Sequence, residues 1–416
     1  MEAIYILYAI PFFFILIGLE YWYAKKKKKN WYRFNDAITN LNIGIGNQAF
    51  NLFFKFILFG AYYYIFQNYA FFEINAGIMS FFLALLIFDF FFYWAHRWSH
   101  EVNFFWGAHA VHHQSEEYNL SVALRQSWFH NIISFIIFLP IPFLGINPLI
   151  FFAAAGFNTL YQFWIHTKAI KKMPDWFEFI FNTPSHHRVH HAINPKYIDK
   201  NHGGMFIFWD RIFGTFKEEE EEPVYGITEQ LKSWNPAWAN VHYYIEMIKI
   251  AFKTPKWKDK LKLIFARPGW LPDELGGYQA PKEVDEKQFK KYDTNAPFGL
   301  NMYILFQFVL ITAGLALFIY HFDAISTFYK VVFFAILILS TTICGAIFES
   351  KKWSLAAEYL RLGLIVISLN SFYYYWYIDW FAITLGASLA AFAVFFVWIT
   401  FSWSKLKEFN TTSPGL

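Results

Sequence analysis

The sequence predicts an all-α, polytopic membrane protein that carries a dinuclear metal site made of histidines. Of its 416 residues, 56% are hydrophobic, 24% are aromatic and only 16% are charged, whereas a typical soluble domain has about 45–50% apolar and about 25% charged residues. Several apolar runs are long enough to cross a bilayer. Eight of the fourteen histidines fall in three short boxes with helical spacing. These observations exclude an ordinary soluble globular chain.

The charge of the chain argues for a membrane and against a nucleic-acid partner. The net charge is only +4, and the lysines cluster beside apolar runs. This distribution is typical of a membrane-topology signal. Cys344 is the only cysteine, so an intrachain disulfide is excluded.

The apolar runs predict nine membrane-embedded segments. Two short, proline-broken runs are expected to form an intramembrane hairpin, and the other seven to cross the bilayer. Lys25–Lys29 directly follows the first run, which places that end in the cytoplasm by the positive-inside rule. The N-terminus is then outside, and the histidine boxes and the C-terminus are cytoplasmic. The predicted segments are 4–23, 50–69, 77–98, 131–146, 149–165, 299–320, 328–348, 359–378 and 380–401.

Polarity divides the chain into four regions. We expect N-terminal transmembrane helices over 1–76, a catalytic region with the boxes over 77–217, a cytoplasmic or interfacial segment over 218–297, and C-terminal transmembrane helices over 298–416. The third region is rich in Lys, Trp and Pro, and it is expected to lie along the cytoplasmic membrane surface.

The three boxes predict a site for two metal ions. Residues three or four apart lie on one face of a helix, and each box has that spacing. Eight converging imidazoles are too many for one ion and suit two, at roughly four to five ligands each. Imidazole binds Zn, Cu, Fe and Ni, so the spacing leaves the metal open. The boxes contain His96 and His100, then His109, His112 and His113, then His187, His190 and His191.

Two further histidines stand close to these boxes. His186 lies about 100° off the face that the third box shares, which ranks it below His187 as a ligand. His166 follows an apolar run, with Gln162 one turn before it. From its position alone, His166 is either a ninth ligand or an interfacial residue.

Three other polar residues remain open in role. Asp89 stands inside a predicted span, about 10 Å from His96 along the helix. It either orients a metal-bound imidazole or makes a structural hydrogen bond between helices. His130 has no box partner and is expected at the interface, and His202 is expected near the site or in a substrate loop.

The residues around the boxes resemble the fatty acid hydroxylase and sterol desaturase superfamily. The motifs HxxxH, HxxHH and HxxHH carry the resemblance, in DFFFYWAHRWSHEVNFFWGAHAVHH and in NTPSHHRVHHAINPKYIDKNHGGMFIFWDRIFGTF. The resemblance covers about residues 77–217. The alkylglycerol monooxygenase branch is the most similar, because Glu101 directly follows the second histidine, YQFWIHT stands at 161–167, and further apolar runs follow the catalytic region.

This resemblance implies an O2-dependent monooxygenase that hydroxylates a lipid C–H bond. In that branch the ether-bearing carbon of an alkylglycerol is hydroxylated and a fatty aldehyde is released. An unactivated C–H bond needs an O2-activating metal centre, and iron is preferred because zinc is redox-silent. The resemblance further implies His166 as the ninth ligand of two iron ions. It also implies that tetrahydrobiopterin is the reductant and that Glu101 is a catalytic residue that binds it. The alternative role of Glu101 is an ion pair with Arg97.

Some alternatives stay open at this point. A sterol or carotenoid oxidase, or a fatty acid hydroxylase or desaturase, would carry the same boxes. A metal transporter would need ligands along a path through the bilayer, whereas here they gather at one face. The electron donor is reduced pterin or a redox protein. The expected location is the plasma or inner membrane of a bacterium, or the endoplasmic reticulum of a eukaryote.

Overall fold

The computed structural model describes residues 2–284 and 287–412, with the side chains of residues 10–284 and 287–406. Within these ranges the regular structure is helical: seventeen α-helices, two short 3-10 helices and two isolated β-bridges, without a β-strand. The predicted all-α class is confirmed. Six of the described helices are long and apolar enough to cross a membrane, so the chain is an integral, multi-pass membrane protein.

Three long helices form the N-terminal part of the chain: α1 (Glu2–Lys26), α2 (Phe34–Tyr69) and α3 (Ile78–Glu101). α2 and α3 are two of the six membrane-length helices. The first predicted segment lies within α1. The second predicted segment, 50–69, covers only the end of α2, which starts at Phe34. The earlier half of α2 is buried although it is polar, so a search for apolar runs does not find it.

Eight shorter helices follow α3. They are α4 (Asn103–His113), α5 (Leu120–Ala123), α6 (His130–Phe138), α7 (Pro140–Phe143), α8 (Pro148–Trp164), α9 (Asp175–Ile180), α10 (Pro184–His190) and α11 (Phe208–Phe213). The two runs predicted as a hairpin correspond to α6 with α7 and to α8. Gly145 in the turn between them has a φ of 78°, and an added Cβ would lie 1.8 Å from the Phe72 carbonyl oxygen. This turn therefore requires glycine.

The remaining helices are α12 (Pro236–Lys253), α13 (Trp257–Phe265), α14 (Phe298–His321), α15 (Thr327–Phe348), α16 (Ser354–Trp376) and α17 (Ile378–Thr412). α14 to α17 are the other four membrane-length helices and match the last four predicted segments. The described chain divides into two compact units. One consists of Phe13–Leu231 and Ala239–Tyr292, and the other of Met1–Phe12, Lys232–Trp238 and Asp293–Leu416. The first contains every histidine box, and we call it the histidine unit.

An aromatic core holds α3 in place within the histidine unit. Phe88 of α3 stacks on Phe138 of α6 with ring centroids 5.0 Å apart. Tyr62 of α2 stacks on Phe151 of α8 at 4.4 Å, and its hydroxyl donates to the Ile146 carbonyl. Buried aromatic pairs add about 0.5–1.5 kcal/mol each beyond the area they bury. This core packs against the middle of α3, whose last two turns carry the first histidine box.

Candidate metal centre

Four helices bring the nine predicted ligands together. The last two turns of α3 carry the first box, and a break at Val102 separates them from α4, which carries the second. α10 carries the third box up to its C-cap, His191. His166 stands two residues beyond the end of α8.

The nine imidazoles form two buried groups. Within each group, one ligand atom from every residue lies within 4.8 Å of the others. The second and third boxes each contribute to both groups, since adjacent helical residues point about 100° apart. The five-histidine group consists of His96, His100, His109, His113 and His190, and the four-histidine group of His112, His166, His187 and His191.

Backbone carbonyls fix the orientation of four of these rings. A carbonyl only accepts hydrogen bonds, so each Nδ1 must donate and carry the ring proton. The Nε2 lone pair of each ring is then directed to the centre of its group. The four bonds run from His96 to the His202 carbonyl at 2.7 Å, His112 to Arg125 at 3.0 Å, His166 to Gln162 at 2.7 Å, and His190 to Lys200 at 3.0 Å.

The contact between His112 and His166 is informative about what the site binds. Their Nε2 atoms lie 3.2 Å apart, and both rings carry their proton on Nδ1. Two unprotonated acceptors therefore face each other with no proton between them. A cation between the two lone pairs removes this repulsion, so the donor set fits a metal ion.

Burial keeps these rings neutral, as metal ligands must be. Desolvation is the largest cause and lowers the pKa of His166 to about 3 and that of His190 to about 4. It also lowers the pKa of His109, His112, His113, His187 and His191 well below the usual value, and neighbouring imidazoles add to the effect. Neutral imidazole is the form that coordinates a metal.

The other histidines of the region lie outside the two groups. The ring of His202 is fully buried, and its centroid lies 5.1 Å from that of His100 and 5.7 Å from that of His190. The ring of His130 lies 5.2 Å from that of His109. No box spacing marks either residue in the sequence. His186 points elsewhere, with Nε2 3.7 Å from a carboxylate oxygen of Glu178.

Glu101, the predicted catalytic and pterin-binding residue, ends α3 and belongs to an ionic cluster beside the five-histidine group. Its Oε1 accepts hydrogen bonds from Arg97 Nε at 3.3 Å and from Arg267 Nη2 at 3.2 Å. The pairing with Arg97 was the alternative expected from the sequence, whereas Arg267 is distant along the chain and was not expected.

Asp89 is a carboxylate of the histidine unit with hydrogen bonds to several elements. It is fully buried on α3, and its two oxygens accept four hydrogen bonds. The donors are the backbone N–H groups of Met205 and Phe206 at 2.7 and 3.1 Å, Trp209 Nε1 at 3.1 Å, and the Asn158 amide. Asp89 therefore ties the loop after His202 and helix α8 to α3.

These bonds extend from Asp89 towards both histidine groups. On one side, the loop that it holds presents the His202 carbonyl to His96. On the other side, Gln162 donates to the Asn158 side chain at 2.6 Å, and the Gln162 carbonyl accepts from His166.

A second buried network supports His112. The Arg125 carbonyl accepts from His112, and the Arg125 guanidinium donates to the Val111 carbonyl at 2.6 Å and to Asn40 at 2.9 Å. Asn40 in turn donates to Asp36 at 2.8 Å. Burial lowers the pKa of Arg125 to about 10. Asn40 and Asp36 thus link the buried polar half of α2 to this arginine.

Comparisons with known proteins agree with this geometry. Residues 81–215 match the family model described as fatty acid hydroxylase. Alkylglycerol monooxygenase of Xenopus tropicalis is 35% identical over 370 residues, which is 87% of this chain and 81% of the relative. The human alkylglycerol monooxygenase is 39% identical over 315 residues, 74% of this chain and 70% of the relative. Human lathosterol oxidase is 29% identical over 153 residues, 36% of this chain and 48% of the relative. No solved structure matches the chain.

Proposed function

The chain belongs to the alkylglycerol monooxygenase family, within the fatty acid hydroxylase superfamily, and from this premise we propose that it hydroxylates the ether-bearing carbon of alkylglycerol lipids. It is a membrane-embedded lipid monooxygenase. The main support for the proposal is the pair of buried histidine groups, in which four rings have their Nδ1 bound to a carbonyl and therefore an unprotonated Nε2. Such a donor set suits metal ions.

We propose two iron ions, one for each histidine group. The ligands would be the nine histidines of the two groups, all through neutral imidazole nitrogen. When bound, the two irons would supply the activation of O2 and the insertion of one oxygen atom into the substrate C–H bond. Zinc binds similar ligands but is redox-silent, which is the reason for preferring iron.

The chain's own residues contribute orientation and the exclusion of water. The carbonyl-bound Nδ1 atoms hold the rings in one tautomer, and burial of all nine rings keeps solvent away. After hydroxylation the ether carbon is a hemiacetal carbon. Its C–O bond to glycerol then breaks, which yields a fatty aldehyde and a glycerol derivative.

The second oxygen atom of O2 must leave as water, which requires two electrons and two protons. We propose that tetrahydrobiopterin supplies the electrons from a position beside Glu101. A reduced pterin presents adjacent N–H donors, which a carboxylate accepts well. Glu101 is partly exposed, with 18% of its side chain accessible, while it stands next to the ligand His100. A redox protein is the alternative donor.

A sterol or fatty acid hydroxylase or desaturase is the second candidate, and the similarity to lathosterol oxidase over 36% of the chain favours it. Membranes that contain the full chain should convert a labelled alkylglycerol to fatty aldehyde when reduced pterin and O2 are supplied. Membranes with His187→Ala serve as the control. Turnover of a sterol or a free fatty acid without aldehyde release from the ether lipid would favour the second candidate.

The orientation in the membrane is part of the proposal. Lys25–Lys29 directs the N-terminus outwards, so the histidine boxes and the C-terminus would face the cytoplasm. Reporter fusions at residues 120, 230 and 410 should all give a cytoplasmic signal. An external signal at 120 or 230 would contradict the cytoplasmic catalytic face. The division into regions 1–76, 77–217, 218–297 and 298–416 also remains a prediction.

A further inference from the structure

Helix α13 presents an unusual combination of exposed apolar and basic side chains. Trp257, Leu261 and Phe265 are 76%, 58% and 71% exposed. They are spaced four residues apart and therefore form one stripe along the helix. A large exposed apolar stripe is costly in water and normally marks a contact surface.

Hydrogen bonds place α13 at the level where a membrane helix ends. α3 is of membrane-spanning length and ends at Glu101. Two residues later, the Asn103 backbone N–H donates to the Ala266 carbonyl and the Asn103 side chain to the Leu263 carbonyl, both at 2.9 Å. Leu263 is buried beneath α13, on the face away from the stripe. The exposed stripe is thus held beside the C-terminal end of a helix of membrane-spanning length.

The charges around the stripe are mainly positive. Lysines occupy positions 256, 258, 260 and 262. Lys260 Nζ lies 4.8 Å from the ring centre of Trp257, and Lys256 pairs with Glu274. Lys258 and Lys262 are exposed. Apolar residues on one side of a helix, with lysines along its flanks, are typical of helices that lie in the interface of an anionic membrane.

We propose that α13 binds the anionic headgroup surface of the same membrane that the chain spans. The stripe would enter the boundary between acyl chains and headgroups, while the lysines extend to lipid phosphates and carboxylates. The proposal depends on the contacts of α13 alone and is independent of the reaction that the histidine groups perform.

Lipid quenching in the full chain tests the proposal. The Leu261→Cys variant, in a Cys344→Ala background, would carry a fluorescent label and be reconstituted in phosphatidylcholine vesicles. Equal amounts of spin-labelled phosphatidylserine or spin-labelled phosphatidylcholine would serve as quenchers. We expect both lipids to quench the label, and phosphatidylserine to quench it more strongly at low salt.

Removal of two lysines gives the decisive comparison. Lys258→Gln with Lys262→Gln should reduce the preference for phosphatidylserine by about ten-fold, because each lysine near the surface contributes to it. Lys282→Gln with Lys290→Gln removes two exposed lysines outside α13 and should leave the preference unchanged. A label that neither lipid quenches, equal quenching by the two lipids, or equal effects of the two double variants would each overturn the proposal.

Discussion

The two histidine groups differ in what orients their rings. In the five-histidine group, His96 and His190 donate to carbonyls of the loop that contains Lys200 and His202. In the four-histidine group, His166 donates to the carbonyl of Gln162 in the last turn of α8, and His112 donates to the carbonyl of Arg125. The five-histidine group therefore depends on one loop, whereas the four-histidine group depends on two separate segments, the end of α8 and the segment at Arg125. We infer that the two proposed metal ions would respond differently to changes in their surroundings.

The loop is held by many contacts that compensate for its unusual backbone. Asp199 and Asn201 have φ angles of 56° and 57°, a region that non-glycine residues rarely adopt. Asp210 accepts the backbone N–H groups of His202 and Gly203, both at 2.7 Å. Burial raises the pKa of the Asp210 carboxyl to about 6. Several hydrogen bonds thus hold the loop in this conformation. Removal of one of them should change the metal affinity of the five-histidine group.

Loss of a ligand should have the largest effect. His187→Ala removes an imidazole of the four-histidine group, and metal affinity there should fall by more than the roughly 10- to 100-fold that loss of an outer partner costs. Activity should become undetectable. Metal analysis should show about half of the wild-type metal per chain.

The matched control is His186→Ala, the adjacent residue. Its ring contacts Glu178 and belongs to neither group, so metal content should stay at the wild-type level and activity should largely remain. Equal metal loss in the two variants would show that His186 also binds metal.

Asp89→Asn should have the next largest effect and should reach both groups. In the variant, one carboxylate oxygen is replaced by an NH2 group, which then faces two N–H donors. Loss of a hydrogen bond to a charged group costs about 1.5–3 kcal/mol of folding free energy. Because Asp89 holds both the loop and Asn158, we expect both metals to dissociate about 10- to 100-fold more readily. A chelator titration should show continuous release, without a plateau at half occupancy.

Asp210→Asn should affect only the five-histidine group. Among the described residues, the hydrogen bonds of its carboxylate go to His202 and Gly203 of the loop and to Thr215, and none goes to α8. The same titration should now release one metal about 10-fold more readily and leave a plateau at half of the initial content. Release of both metals together would contradict the separate support of the two groups.

Glu101→Gln should have the smallest effect on the metals. The variant removes the charge that holds Arg97 and Arg267 but no ligand, so both groups should remain filled. The apparent affinity for tetrahydrobiopterin should fall by about 10- to 100-fold, the equivalent of 1.4–2.8 kcal/mol. The loss of affinity should appear as a higher KM for tetrahydrobiopterin. Activity that a redox protein supports equally well without pterin would exclude the assignment.

The sequence predicts that these histidines come together, because their spacing is local. Residues three and four apart must share a helix face, so the boxes were visible without a structure. The division of the second and third boxes between the two groups was not visible. That division depends on how α4 and α10 are rotated against the other helices, and rotation is set by packing. The membrane helices of the C-terminal part were also predictable, since hydropathy alone identifies runs of that length.

The supporting residues could not be predicted, because their partners lie far away in the chain. The position of Asp89 in a membrane helix indicated importance, but Met205 and Trp209 are more than a hundred residues away. No motif, spacing or hydropathy pattern in the sequence indicated the roles of Arg125 and the first half of α2. A polar helix that is buried against an arginine has the hydropathy of a surface segment, so single-sequence patterns assign it to the wrong class.

The carbonyl bonds to the ring nitrogens have a consequence for redesign of the site. Every amino acid provides a carbonyl, so the side chain at Lys200 can change without turning the ring of His190. A design that grafts the site onto another scaffold would need to reproduce the backbone path around the rings. Many of the neighbouring side chains could be chosen freely. A graft that copied the nine histidines on different loops would leave the rings free to rotate and to exchange tautomers.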